Sequence, residues 1–164
     1  MAYTKTMSFF VQPTLPTPPK TDATRAASLI FAAMLLIMVV FQLFSFEKFP
    51  AVLTAFSFYD EALSKVWAAL IVIFEVATLP FLFSMLLSPA ARVAGMVSGW
   101  VVATWWLFVS LWTLMSGHGM ENSGLLGATF PIMGGWWMVF FCIGLELLAA
   151  WTSWGMWPRL SKKR

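Results

Sequence analysis

The chain has 164 residues, of which 60% are hydrophobic and 10% charged, with a net charge of +3. Soluble domains average about 45–50% apolar and about 25% charged residues, so this composition leaves no polar shell to face water and excludes a soluble globular fold. The ten Lys and Arg flank apolar runs instead of gathering with aromatics, which excludes nucleic acid as a partner; the single cysteine, Cys142, excludes an internal disulfide or dithiol centre.

Residues 1–25 are polar and carry Pro13, Pro16, Pro18 and Pro19. Proline at that density breaks a helix and favours an extended, flexible tail. Phe9, Phe10 and Val11 within it could touch a membrane surface. Four apolar runs follow, at about 26–46, 64–87, 92–115 and 130–154. Each supplies the roughly 20 residues that a helix needs to cross a hydrocarbon layer. The first is too long for the roughly 7–15-residue core of a signal peptide and lacks a small-residue cleavage site, so it reads as a retained span. Together the runs predict an all-α, polytopic membrane domain over 26–157, followed by a basic C-terminal tail at 158–164.

The first outer loop, 47–63, contains Ala51 to Phe58, apolar enough for a short interfacial helix or re-entrant piece. Spans two and three are joined by the short "LLSPAAR" turn, in which Ser88 can cap the third helix and Pro89 suits its first turn. Ala91, Gly95, Gly99 and Ala103 recur every four residues on span three. That small-residue stripe permits close helix packing, against a span of the same chain first and another subunit as the alternative. A second outer loop covers about 116–129. Trp136 and Trp137 open span four, and Trp151, Trp154 and Trp157 close it, as interface anchors. A quinone or chromophore box is the sharper alternative, because Trp100, Trp105, Trp106 and Trp112 add rings on span three.

The charges orient the bundle. Lys5, Lys20, Arg25, Arg92, Arg159, Lys162, Lys163 and Arg164 fall on one side, and only Lys48 and Lys65 on the other. Under the positive-inside rule this predicts an antiparallel four-helix bundle with both termini cytoplasmic.

Two acids interrupt the spans. Glu75 lies near the middle of "LIVIFEVATLPFLFSMLL" and Glu146 lies in span four, about five residues deeper. That offset is roughly 7 Å, so contact requires spans two and four to be neighbours. An ionised acid at a helix centre costs roughly 2.5–3.5 kcal/mol, so such residues face the bundle interior. No Lys, Arg or His lies in the spans. Both acids are therefore expected to hold a proton and donate a hydrogen bond. Pro80 frees the carbonyl of Val76 beside Glu75 and bends the helix. Candidate partners are Gln42, Thr78, Thr104 and the indole N–H groups. The first reading is a structural bond between helices; the second is a proton site or polar ligand anchor. His118 and Glu121 fall short of the ligands a metal needs, so no metal site is assigned, and Cys142 reads as a packing thiol.

"FQLFSFEKFPAVL" followed by "IFEVATLPFLFSMLLSPAAR" resembles the DoxX/MauE-like group of four-helix bacterial integral membrane proteins. The match rests on Phe46, Glu47, Lys48 and Phe49 at the end of span one, and on Glu75 and Arg92 in and after span two. It extends over roughly residues 27–155. The resemblance implies the bacterial cytoplasmic (inner) membrane and an accessory role near thiosulfate:quinone oxidoreduction, membrane redox complexes, or disulfide-dependent maturation of a periplasmic dehydrogenase. With one cysteine the chain cannot shuttle a disulfide itself.

The expectation is a non-catalytic accessory or scaffold subunit of a membrane complex, in contact with the lipid bilayer and partner membrane subunits, with a homo-oligomer also compatible. No enzyme activity and no cofactor is required by the sequence, although a quinone is compatible. One alternative is a quinone- or proton-handling protein using Glu75, Glu146 and Gln42. Another is a stand-alone protein that binds lipid or small molecules.

Overall fold

The computed structural model describes residues 13–16, 18–57 and 60–157. Phe9, Phe10, Val11, Phe58, Lys5 and the basic residues of 158–164 lie outside the described residues. Among the described residues five helices form: α1 (Asp22–Phe44), α2 (Phe49–Thr54), α3 (Glu61–Leu82), α4 (Pro89–Ser116) and α5 (Trp136–Met156). All but α2 are long and apolar enough to cross a membrane, with mean hydropathies of 2.5, 1.9, 1.5 and 1.4 in chain order.

Capping chemistry sets where these helices start and stop. Thr21 Oγ1 accepts the Thr24 N–H at 3.1 Å, so α1 begins four residues before the expected position 26 and takes Asp22 and Arg25 into its first turns. Asp60 accepts the Leu63 N–H at 2.8 Å and starts α3 three residues early. Ser88 accepts the Ala91 N–H at 3.2 Å, with Pro89 in the first turn of α4, as its sequence predicts.

Two expected boundaries move further. Span two is expected to reach 87, but α3 ends at Leu82. Ser84 adopts a left-handed φ of 54°, Met85 N–H bonds to Pro80 O, and Ser84 N–H bonds to Phe81 O. That pair of bonds closes a helix end, here on serine where glycine is usual. Span four is expected from 130, but α5 begins at Trp136. Pro131 and the pair Gly134–Gly135 precede it, and Gly135 has a φ of 141°, which an L side chain rarely adopts.

The four long helices form a ring. α1 packs on α3 and α5, and α4 packs on α3 and α5, so α3 and α5 face each other across a diagonal. The small-residue stripe of α4 makes one of these contacts. A Cβ on Gly95 would stand 3.0 Å from Ala77 O, and one on Gly99 would stand 2.9 Å from Thr78 Cγ2 with Phe31 of α1 beyond. Backbones therefore approach where glycine allows it, and the stripe is spent inside the chain. Phe31, Leu35, Ala103, Trp106, Met138 and Leu145 fill the middle of the ring, fully buried. Outward faces carry large apolar side chains such as Ile73, Phe140 and Leu147.

Each end of the ring is closed differently. At one end, the described part of the proline-rich tail crosses the bundle as a strap. Thr14 N–H bonds to Leu87 O at 3.0 Å, and the Arg92 guanidinium donates to Thr14 O, Thr14 Oγ1 and Leu15 O. Lys20 binds the end of α5 through its backbone N–H to Gly155 O, through Nζ to Trp154 O, and by lying 4.3 Å over the Trp154 ring. These residues are fastened where a flexible tail is expected, because free carbonyls at Leu87, Trp154 and Gly155 accept from Thr14 and Lys20, and Arg92 donates to the carbonyls of the tail itself.

At the other end, α2 turns Phe49 and Leu53 inward, and Phe56 follows them into full burial. Of the expected interfacial or re-entrant piece at 51–58, the part up to Thr54 belongs to the short helix α2, whose apolar side seals the ring. Thr54 Oγ1 bonds to Ser64 Oγ at 3.0 Å, and Trp112 Nε1 donates to Phe56 O at 2.9 Å. The loop between α4 and α5 folds over the same end, where Ala128 N–H donates to Ser45 Oγ at 2.8 Å.

Candidate functional site

Glu75 is fully buried in the ring, on the face of α3 turned toward α1 and α4. Its Oε1 accepts two N–H donors: Gln42 Nε2 of α1 at 3.2 Å and Trp106 Nε1 of α4 at 3.1 Å. Gln42 Nε2 also donates to the carbonyl of Leu125, in the loop between α4 and α5, at 3.2 Å. One carboxylate oxygen thereby ties three helices, and through Gln42 a loop from the end of the bundle.

Such convergence has a cause in side-chain direction. Long side chains on a helix lean back toward its N-terminus, over the preceding turn. Gln42 lies near the C-terminal end of α1, so its amide reaches back into the ring instead of outward to solvent. The loop can meet it there because Leu125 and Ser123 are themselves buried.

The sequence predicts Glu75 to be a hydrogen-bond donor. At Oε1 it is an acceptor, for two donors at once. Its other oxygen, Oε2, is buried with no hydrogen-bond partner among the described residues, and the same holds for Gln42 Oε1 and Ser123 Oγ. Of the expected partners, Gln42 and one indole are engaged. Thr78 instead donates to Phe74 O on its own helix at 2.8 Å. Pro80 lies five residues beyond Glu75, inside α3 and two residues from its end.

Glu146 is placed quite differently. It is half-buried on α5, and its Oε1 accepts the Thr104 hydroxyl of α4 at 2.7 Å. Its partner Thr104 is exposed, and a second bond nearby, Trp100 Nε1 to Ser153 Oγ at 2.9 Å, joins the same two helices. Because α3 and α5 lie on the diagonal, the neighbour relation that a direct contact between the acids requires is not formed. Thr104 and Trp106 are two residues apart on α4, so they project to opposite sides of it. The two acids address α4 from different sides.

Sequence reasoning did not single out Trp106 or Leu125. Trp106 was one of ten tryptophans and is grouped by sequence with belt or box residues, yet it is fully buried. The five tryptophans at the ends of span four are exposed, in keeping with anchors. Leu125 contributes a backbone carbonyl, which no residue type announces.

Larger open concavities lie elsewhere among the described residues. One, of about 810 Å³, lies at the loop end beside Lys48, Val52, His118, Glu121 and Asn122. Another, of about 550 Å³, runs along α3 and α4 beside Trp67, Trp100, Thr104, Trp105 and Phe108. In it the Trp67 and Trp105 rings stack at 4.9 Å and 5°. Among the described residues no group of three or more His, Cys, Asp or Glu could hold a metal ion. Cys142 is buried, and His118 is exposed on its turn. No protein-family model, curated protein or solved structure matches the chain.

Proposed function

We propose that the chain is a non-catalytic accessory or scaffold subunit of a bacterial membrane complex, DoxX/MauE-like in kind and redox-linked through its partners. In this reading the four long helices are antiparallel spans of the cytoplasmic membrane, with both termini cytoplasmic. The observation that carries it is the Glu75 site. The acid is wholly enclosed and its Oε1 is spent on tying α1, α3 and α4 together, which is the work of a clamp. A rigid bundle with exposed apolar flanks is suited to lean on other membrane subunits through shape and lipid-facing packing. Purification in a mild detergent should bring one or more membrane proteins with the chain in fixed ratio. Recovery of the chain alone, with full physiological function in reconstituted bilayers, would sink the scaffold reading.

A second reading, quinone or proton handling, draws on the tryptophan-lined groove. Thr104 lies at that groove and bonds to Glu146, so ring-stacking surface and a polar group adjoin each other. The variant Glu75→Gln separates the two. Under the scaffold reading the purified complex keeps its activities; loss of proton or electron transfer with assembly intact favours the second reading. Topology has its own test. In a Cys142→Ser background, an impermeant thiol reagent should label Met120→Cys from outside the cell and Lys162→Cys only after permeabilisation.

A further inference from the structure

Glu75 raises a question of charge that the clamp leaves unanswered. Its Oε1 has two donors, but Oε2 has none, and the nearby Gln42 amide presents a second buried oxygen without a donor. The helices packed against α3 offer no cation of their own at this depth. On α1 the charged residues are Asp22 and Arg25, and on α4 only Arg92. These lie 14 or more residues from Gln42 or Trp106 along their helices, about 20 Å or more at helical rise. α2 has no charged residue, and α3 itself has Glu61 and Lys65, paired with each other at 2.7 Å near its start. His118 and Glu121 of the loop are exposed.

We propose that Glu75 Oε2, Gln42 Oε1 and the Leu125 carbonyl form a binding site for one small monovalent cation of the sodium class. The chemistry is that of a hard ion, which takes carboxylate, amide and backbone carbonyl oxygens. A single carboxylate sets the charge: a monovalent ion leaves the buried site neutral, whereas a divalent ion would leave a net positive charge enclosed in apolar surroundings. The existing bonds support this use. Gln42 Nε2 donates to Glu75 Oε1 and Leu125 O, which fixes the amide plane and leaves its oxygen as the free end. Trp106 Nε1 holds the same carboxyl group from α4. Ser123 Oγ, buried two residues before Leu125 and also without a partner, is a further oxygen on the same loop. The inference is independent of the assembly in which the chain takes part.

A proton competes for the same carboxyl oxygen, and the experiment separates the two occupants. The full chain, purified in dodecyl maltoside, is melted in NaCl, KCl or N-methylglucamine chloride at equal ionic strength, at pH 6 and pH 9. Raising sodium from about 1 to about 100 mM at pH 9 should lift the melting midpoint by about 5 °C, as expected for a ligand that binds only the folded state. Potassium should do less and N-methylglucamine nothing, and the sodium response should shrink at pH 6. Equilibrium dialysis with radioactive sodium should show one saturable site, independently of any variant. Glu75→Gln and Gln42→Leu should each abolish the sodium response while melting cooperatively. Equal responses to all three salts, or none at either pH, would overturn the proposal and leave the proton as occupant. Survival of the sodium response in both variants would overturn it as well.

Discussion

Glu75 and Glu146 are the same residue type in the same kind of apolar helix, and each has a buried Oε2 without a partner among the described residues, yet the depth and number of their contacts differ. Glu75 is fully enclosed and meets side chains from two other helices; Glu146 is half-buried and meets one hydroxyl from one neighbour. The difference teaches that the energetic weight of a buried acid lies in how many elements depend on it. Removing Glu75 strands donors on α1 and α4, whereas removing Glu146 frees a threonine that can turn toward other partners.

That contrast can be broken by measurement, most forcefully at Trp106. Trp106→Ala removes a fully buried ring and one of the two donors to Glu75, and is expected to destabilise by about 3–5 kcal/mol in denaturant titrations in micelles. Glu75→Ala should follow at about 3 kcal/mol, because Trp106 Nε1–H and one Gln42 N–H are left without their acceptor in a dry interior. Glu75→Gln keeps the volume and one carbonyl acceptor, so its cost should fall to about 1 kcal/mol. Glu146→Gln retains an acceptor for Thr104 in a half-open setting and should shift stability by less than about 0.5 kcal/mol. If Glu146→Gln costs as much as Glu75→Ala, the distinction between the two acids collapses.

The four helices long and apolar enough to cross a membrane were legible because their apolar runs are long. Their ends were less so. Ser88–Pro89 could be read in advance because the cap is a local signal; the end of α3 could not, since it depends on Ser84 taking a conformation usual for glycine. The start of α5 at Trp136 was hidden by the hydropathy of Phe130 and Ile132, which continues through a non-helical stretch. Within the site, Gln42 stood out as an amide in an apolar segment. Trp106 did not, because a buried indole and an interfacial one have the same letter. Leu125 had no signal at all, since its contribution is a carbonyl delivered by loop tertiary structure.

The strap also carries information about timing. Lys20 bonds to Trp154 O, 134 residues later in the chain, and its own N–H bonds to Gly155 O. Lys20, which leaves the ribosome before α1, therefore finds these two acceptors only after α5 has been made. The strap's other attachment, to Leu87 and Arg92, becomes accessible much earlier. Synthesis supplies the α3–α4 turn before the end of α5, and the Lys20 bonds can close only once Gly155 has been made. A nascent polypeptide halted before Gly155 has the strap's partners at Leu87 and Arg92 and lacks those of Lys20 at Gly155.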